Sequence, residues 1–229
     1  LISFVIPTLN EADQIGSLIN YLWQLKHIDQ AEIIVSDGGS TDDTIQRATL
    51  AGARVISSFR KGRAPQMNYG ALKANGKVLY FVHADARPPA SSLQHIINLH
   101  YQGIRAGCFS YRFSSDLLML RFNEWFTRRH GPWQGGGDQT LFIDQQLFRQ
   151  LNGFNDSYPV FEDFDLVKRL KRAGHFKLVK DDVKVSARKY RHNSWLRVMS
   201  VNTFVFLLFR LGVSPVKLKN IYNLLLRSS

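Results

Sequence analysis

Apolar residues run almost unbroken from Leu1 to Pro7, as a strand covered on both faces of a parallel sheet requires. The period then changes. Ile15, Leu18, Ile19, Leu22 and Leu25 recur at three- and four-residue steps, which predicts a helix with Asn10 as its N-cap and Asp13 near its first turn. Glu32 to Ser36 reads as a second strand ending in the loop Asp37-Gly38-Gly39-Ser40. A short helix from about Asp42 to Ala51, a strand at Arg54 to Ser57, a helix at Ala64 to Asn75 and a central strand at Val78 to Val82 follow. Strand and helix alternating at this spacing predict an α/β fold with a mostly parallel sheet and helices on both faces.

The second half is less regular. Ala106 to Phe113 and Thr140 to Ile143 read as strands, and Leu117 to Arg129 as an amphipathic helix. Gly135-Gly136-Gly137-Asp138 is a loop, and Glu162 to Ala173 a helix closed by Gly174 as a C′ residue. From Asn193 onward the pattern is helical, basic on one side and rich in Leu, Phe and Val on the other, with Pro215 breaking it into two helices. No internal repeat or low-complexity tract interrupts the chain. The expected organisation is one domain over residues 1–190 and a basic amphipathic helical tail over 191–229.

Composition narrows the class. At 229 residues and 45% hydrophobic, the chain can bury a substantial core without disulfide staples. Cys108 is the only cysteine, so a disulfide framework or thiolate metal cluster is excluded; its apolar surroundings predict a buried, inert thiol and suit a reducing, cytoplasmic compartment. The formal net charge of +12 is unevenly spread, with no acidic residue beyond Asp182 but Lys184, Arg188, Lys189, Arg191, Arg197, Arg210, Lys217, Lys219 and Arg227 following it. Such a segment suits nucleic acid, an anionic membrane surface or a phosphate-bearing substrate. Leu1 already opens a strand, so no signal peptide is expected, and a native start upstream of Leu1 or a trimmed one is. The longest apolar stretch, Phe204 to Phe209, is far short of a membrane span.

The candidate chemistry sits where the strands end. In open α/β sheets ligands bind beyond the carboxyl ends of the strands. There the chain has Thr8, Asn10 and Glu11 after strand one, Asp37 after strand two and Asp85 after the central strand. Asp37, on a glycine-rich loop, can accept from a base or sugar; the plainer reading is a turn leading to an N-cap at Ser40 or Thr41. Asp85 suits a hard divalent cation, Mg²⁺ or Mn²⁺, that takes few protein oxygens and leaves the rest to phosphates and water. His83, on the same face of the strand, either assists at the metal or is a hydrogen-bonded core histidine. Arg60, Lys61 and Arg63, ahead of Gln66 and Asn68, suit a diphosphate or else form a solvated surface. Glu162 and Asp163 open a helix, where they complement its dipole or supply a general base.

Taken in order, FVIPTLNE, VSDGGSTDDT, KGRAPQMNYGA, VLYFVHADARPP, GGGDQTLF and GFNDSYPVFEDFDLVKRLKRAG resemble glycosyltransferase family 2, over roughly residues 1–190. The resemblance implies the GT-A fold and an inverting transfer from a nucleotide-diphosphate sugar to a hydroxyl acceptor. It implies that Asp37 holds the nucleobase, that Thr8, Asn10 and Glu11 line the nucleoside pocket, and that Arg63 helps bind the donor. Asp85 matches the last Asp of the family's Asp-x-Asp motif, at the metal and sugar diphosphate. Asp138 would face the acceptor, and Asp163, second in the pair after Glu162, would be the base. His83 stands in place of the motif's first Asp, which leaves strict metal dependence open. His192 and Trp195 are candidates for a late donor-site motif.

Other classes fit less well. A nucleic-acid-binding protein would need aromatics and cations interleaved on a sheet face, or a helix-turn-helix. A nucleotidyltransferase would need a glycine-rich, basic loop after strand one, and a dehydrogenase G-x-G-x-x-G; Thr8-Leu9-Asn10-Glu11 stands there instead. For the tail two readings are open, each with Phe204, Phe206, Leu207, Phe209 and Leu211 on its apolar face: packing on the domain or a partner subunit, or peripheral contact with a membrane carrying a lipid-linked acceptor.

Overall fold

The computed structural model describes residues 1–113, 139–186 and 194–226. Eight strands form one sheet in the order β3-β2-β1-β4-β7-β6-β8-β5. They are β1 (Ile2–Thr8), β2 (Ala31–Asp37), β3 (Arg54–Ser57), β4 (Val78–Phe81), β5 (Ala86–Arg87), β6 (Ala106–Phe113), β7 (Leu141–Asp144) and β8 (Lys177–Val185). The helices among the described residues are α1 (Ala12–Leu22), α2 (Thr44–Leu50), α3 (Arg63–Lys73), α4 (Ser92–Tyr101), α5 (Gln145–Gln150), α6 (Glu162–Arg172), α7 (Trp195–Arg210) and α8 (Pro215–Leu225). β3, β2, β1 and β4 run parallel, β7 is antiparallel to β4 and β6, and β8 is parallel to β6.

Why the strands read as continuous apolar runs is visible in the core. Successive side chains of a strand point to opposite faces. Phe4 and Ile6 of β1, Tyr80 of β4 and Phe142 of β7 join a core with Ile15, Leu18, Ile19 and Leu22 of α1 and Leu93 and Ile96 of α4. Val5, Leu79, Phe81 and Ile143 face the other way, against Ala64 and Met67 of α3, Leu147 of α5 and Leu166, Val167 and Leu170 of α6. Both faces are therefore dry, and helical layers cover each. Helix α3 lies so close to β1 that a Cβ at Gly70 would stand 2.4 Å from a methyl of Val5.

Several expectations need correction. Asn10 does not cap α1; it takes a left-handed φ of 55°, and Glu11 precedes the helix. Ser40 and Thr41 do not cap α2, which starts at Thr44 after Asp43. Helix α4 and strand β8 were not among the elements expected from the sequence. Gly174 does end α6, with φ 72° and the backbone bonds Gly174 N to Lys171 O (3.2 Å) and His175 N to Leu170 O (3.1 Å). The helix expected at Leu117 to Arg129 and the glycine loop with Asp138 lie outside the described residues, as do His192 and the 190/191 boundary.

The tail folds back as a helical hairpin. Val198, Val201 and Val205 of α7 enclose a small core with Leu218 and Leu226, and Val160 and Phe161 of the main body pack against it. Pro215 occupies the first turn of α8, where its missing N–H costs nothing.

Candidate active site

The parallel register brings the strand ends to one edge. Thr8 of β1 lies opposite Asp37 of β2, which lies opposite Ser57 of β3, and the N–H of Val82 after β4 bonds the carbonyl of Val5. The two loops beyond this edge are laced together. Asn10 N–H donates to Ser40 Oγ (2.9 Å) and Thr41 N–H donates to Asn10 Oδ1 (2.9 Å). Glu11 N–H donates to Thr44 Oγ1 (2.8 Å), and Ala12 N–H to Asp42 Oδ2 (3.2 Å). The left-handed turn at Asn10 is what lets one side chain close this lattice.

Asp37 sits at its centre, fully buried at the last position of β2. Its Oδ2 accepts from the N–H groups of Gly39 and Ser40 (2.8 Å each), and its Oδ1 from Ser40 Oγ (2.5 Å) and Thr8 Oγ1 (3.2 Å). A carboxylate offers about four lone-pair sites, and all are engaged by the protein itself. Asp37 thus ties the loop to the ends of β1 and β2. Gln66 adds a second tie from α3, donating through Nε2 to the carbonyl of Thr8 (2.5 Å).

His83 and Asp85 lie half-buried on the turn after β4. The turn is pinned by Ala86 N–H to His83 O (3.0 Å) and by Ser186 N–H, just past β8, to Asp85 O (3.2 Å). Arg87 braces it from inside, donating to Ala84 O (3.2 Å), Ala86 O (3.1 Å) and Ser17 Oγ of α1 (2.6 Å). Burial pulls its guanidinium below the usual value, and the nearby charge of Asp85 pushes back. Among the described residues no three His, Cys, Asp or Glu side chains gather into a metal cluster. That donor set fits a hard cation carried with a diphosphate, which needs one or two protein ligands, better than a closed protein cage.

The fourth part of the site comes from helix N-termini. Arg63 opens α3 and is exposed. Glu162 and Asp163 open α6 and are both buried, at 2% and 7% exposure. Helices α3 and α6 share a core face, and the segment leading to α6 is tied to α3 by Asn68, which accepts from Phe154 N–H (2.9 Å) and donates to Phe154 O (2.8 Å) and Asp156 (2.7 Å). Arg60 pairs with Asp156 at 2.8 Å, across the same tie. Burial pushes the carboxyl of Glu162 above the usual range, and the Arg63 charge offsets only part of that.

The folded state holds the Glu162 proton more tightly than the unfolded chain, so this contribution is present at low pH and lost as pH rises through the raised folded value. Glu162→Gln should therefore melt higher than wild type at neutral pH, the gap closing toward about pH 4. A gap of the same size at all pH values in a melting series would refute this.

Cys108 is buried, with Sγ 3.8 Å from Gln139 Oε1. Sequence reasoning missed Ser40, Gln66 and Arg87 as supports of the site. Ser40 and Arg87 stand three and two residues past Asp37 and Asp85, a proximity that could have pointed to them.

Comparison with known proteins places this arrangement. The family model described as glycosyl transferase family 2 matches residues 3–149. The chain belongs to glycosyl transferase family 2. A glucosyl-3-phosphoglycerate synthase of Mycolicibacterium paratuberculosis is 38% identical over 96 residues, covering 38% of this chain and 29% of that protein. The chain thus matches less than a third of that relative's length. The crystal structure of the Mycobacterium tuberculosis glucosyl-3-phosphoglycerate synthase with Mn²⁺, uridine diphosphate and glucosyl-3-phosphoglycerate superposes with a TM-score of 0.61 at 25% identity, covering 93% of this chain and 80% of that one. A Pyrobaculum calidifontis mannosyltransferase, solved with GDP-mannose and Mn²⁺, gives a TM-score of 0.70 at 18% identity over 97% of this chain and 68% of that one, a likeness of fold alone. The family-2 chain has the GT-A architecture of these transferases. Family membership removes the support for a nucleotidyltransferase or a nucleic-acid-binding protein.

Proposed function

We propose that this family-2 chain transfers a sugar, with inversion, from a nucleotide-diphosphate donor to a hydroxyl acceptor. The observation that carries the reading is the convergence, at one sheet edge, of the Thr8–Asp37 lattice, the His83–Asp85 turn and the acidic N-terminus of α6 beside Arg63. The acceptor oxygen attacks the anomeric carbon as the bond to the diphosphate breaks, and the electron pair leaves with the nucleoside diphosphate. Asp163 takes the acceptor proton. Thr8, Asn10 and Glu11 line the nucleoside pocket, whose shape Asp37 maintains, and Arg63 and Glu162 serve the diphosphate side. Asp138 is assigned to the acceptor side from the sequence.

Asp85, with His83, would hold a divalent cation, Mg²⁺ or Mn²⁺, which when bound neutralises charge on the departing diphosphate. The Mn²⁺ and nucleotide diphosphate bound by the Mycobacterium tuberculosis relative support the same pair of ligands here. The acceptor is a hydroxyl compound; a lipid-linked one, and a cytoplasmic enzyme working at a membrane face, are the form of the proposal that the basic tail supports.

A melting-temperature series with nucleoside diphosphates, with and without Mn²⁺, tests the reading, because a ligand of the folded state raises the midpoint by mass action. Wild type should be stabilised, and more so with Mn²⁺. Asp85→Ala should lose the Mn²⁺ increment, measured against the melting temperature of the same variant without ligand. An increment retained in Asp85→Ala would remove this residue from the metal site, and no shift with any nucleotide would remove the reading.

A further inference from the structure

We infer that the outer face of the C-terminal hairpin is a docking surface for an anionic lipid membrane. Helix α7 has two apolar faces. Val198, Val201 and Val205 point inward, and Phe206 and Phe209 meet Phe161, with Phe209 stacked on it at 4.9 Å between ring centroids. The opposite face carries Leu196, Phe204, Leu207 and Leu211, which are 63%, 49%, 55% and 81% exposed. At about 100° per residue these four fall within roughly 80° of arc, with Arg197 on one flank and Arg210 on the other. Helix α8 repeats the design, with Val216 and Leu224 exposed on one face and Lys217 and Lys219 flanking it.

Charge selects the occupant. No Asp or Glu follows Asp182. Two copies of this face brought together would therefore oppose like charges with no carboxylate of the hairpin to pair them. Nucleic acid would suit the cations but set four large apolar side chains against phosphates. An anionic bilayer surface suits both features, since apolar side chains enter the boundary between headgroups and acyl chains while Lys and Arg stay at the headgroups. Among the described residues no helix is long and apolar enough to cross a membrane, so the hairpin lies on the surface. Phe161, the residue before Glu162 and Asp163, is stacked on the hairpin, so a docked membrane would lie against the element that supports the proposed base.

Flotation of the full chain with phosphatidylcholine vesicles, with and without phosphatidylglycerol, tests this. Wild type should float with the anionic vesicles and remain partly bound at about 0.15 M salt, where the Debye length has fallen to about 8 Å. Leu207→Glu with Leu211→Glu should lower partitioning about tenfold or more. The variant Arg210→Gln, Lys217→Gln, Lys219→Gln should lose about fivefold per cation on anionic vesicles alone. All five positions are exposed, so melting temperatures should stay at the wild-type value. Wild type left unfloated with anionic vesicles at low salt overturns the inference, as does equal partitioning of the Leu207/Leu211 variant. A dimer abolished by that variant, or a shift of duplex DNA, without vesicle binding would overturn it in favour of a second copy or nucleic acid. Nucleoside diphosphate binding measured without vesicles should be unchanged in both variants, so this surface and the transferase reading fail independently.

Discussion

Asp163→Asn is expected to lower sugar transfer by about 10²–10⁴-fold while nucleoside diphosphate binding is kept, because removing a general base slows the proton transfer without removing the donor's contacts. The substitution preserves shape, so α6 keeps Leu166, Val167 and Leu170 in the core. Its position argues for the role. A carboxylate needed only to complement a helix dipole does that work at an exposed site for under about 1 kcal/mol. Here two acids in succession are buried at a helix start, beside Arg63, at the edge where the strands end. Burial of this kind, with a raised Glu162, is costly to stability and is characteristic of functional carboxyls. The two neighbours should separate in experiment. Asp163→Asn should act on turnover, whereas Glu162→Gln should act on the pH dependence of melting. Equal losses of turnover and nucleotide affinity in Asp163→Asn would make Asp163 a donor-site residue and leave the base unassigned.

The first half of the fold was legible because its strands are buried on both faces and its helices on one, so the hydrophobic period changes cleanly at each boundary. Arg54 to Ser57 and Ala106 to Phe113 are strands over the residues expected. Strand β8 was hidden for a physical reason. Its sequence, KLVKDDVKV, carries Asp181 and Asp182 where the register with β6 shifts between Phe109 and Ser110. Asp182 accepts from Ser110 Oγ at 2.6 Å, and Asp181 contacts His95 at 3.3 Å, so polar residues do locally what apolar ones do elsewhere in the sheet. Helix α4 did carry a signal, Leu93 and Ile96 at helical spacing, but the prolines and serines before it read as loop. At the site, residue types marked the acids at the strand ends. They could not indicate which carboxylates are already satisfied by the protein, because that depends on the meeting of two loops some 30 residues apart in sequence, as in the Asn10–Ser40 bond. The tail's apolar positions were legible as a set but not as two faces. Phe206 and Phe209 pack on the body, whereas Phe204, Leu207 and Leu211 do not.

Asp37→Ala should destabilise the fold by about 2–4 kcal/mol, because it strips acceptors from two backbone N–H groups and two hydroxyls at once and hydrogen bonds to a charged group are worth about 1.5–3 kcal/mol each. For a chain of this size that is a fall of roughly 5–15 °C in melting temperature. The sequence placed Asp37 on a loop, and the structure corrects this, since Asp37 ends β2 and is fully buried. Removing a buried carboxylate also relieves its desolvation cost, which is why the expected loss is smaller than the four bonds would sum to. Asp37→Asn discriminates between the roles. Its amide can turn its one oxygen to the N–H groups of Gly39 and Ser40 and its NH₂ to the hydroxyl oxygens of Thr8 and Ser40, which can accept after rotating, so the lattice is kept in part but without the charge. If Asp37 holds the loop, Asp37→Ala melts early and loses nucleotide binding with it, and Asp37→Asn recovers part of both. If instead its task is a direct bond to a nucleobase, both variants would melt like wild type and lose only nucleotide affinity. Unchanged melting in Asp37→Ala would therefore reject the structural role assigned to this carboxylate, because alanine leaves all four of its present donors without their acceptor.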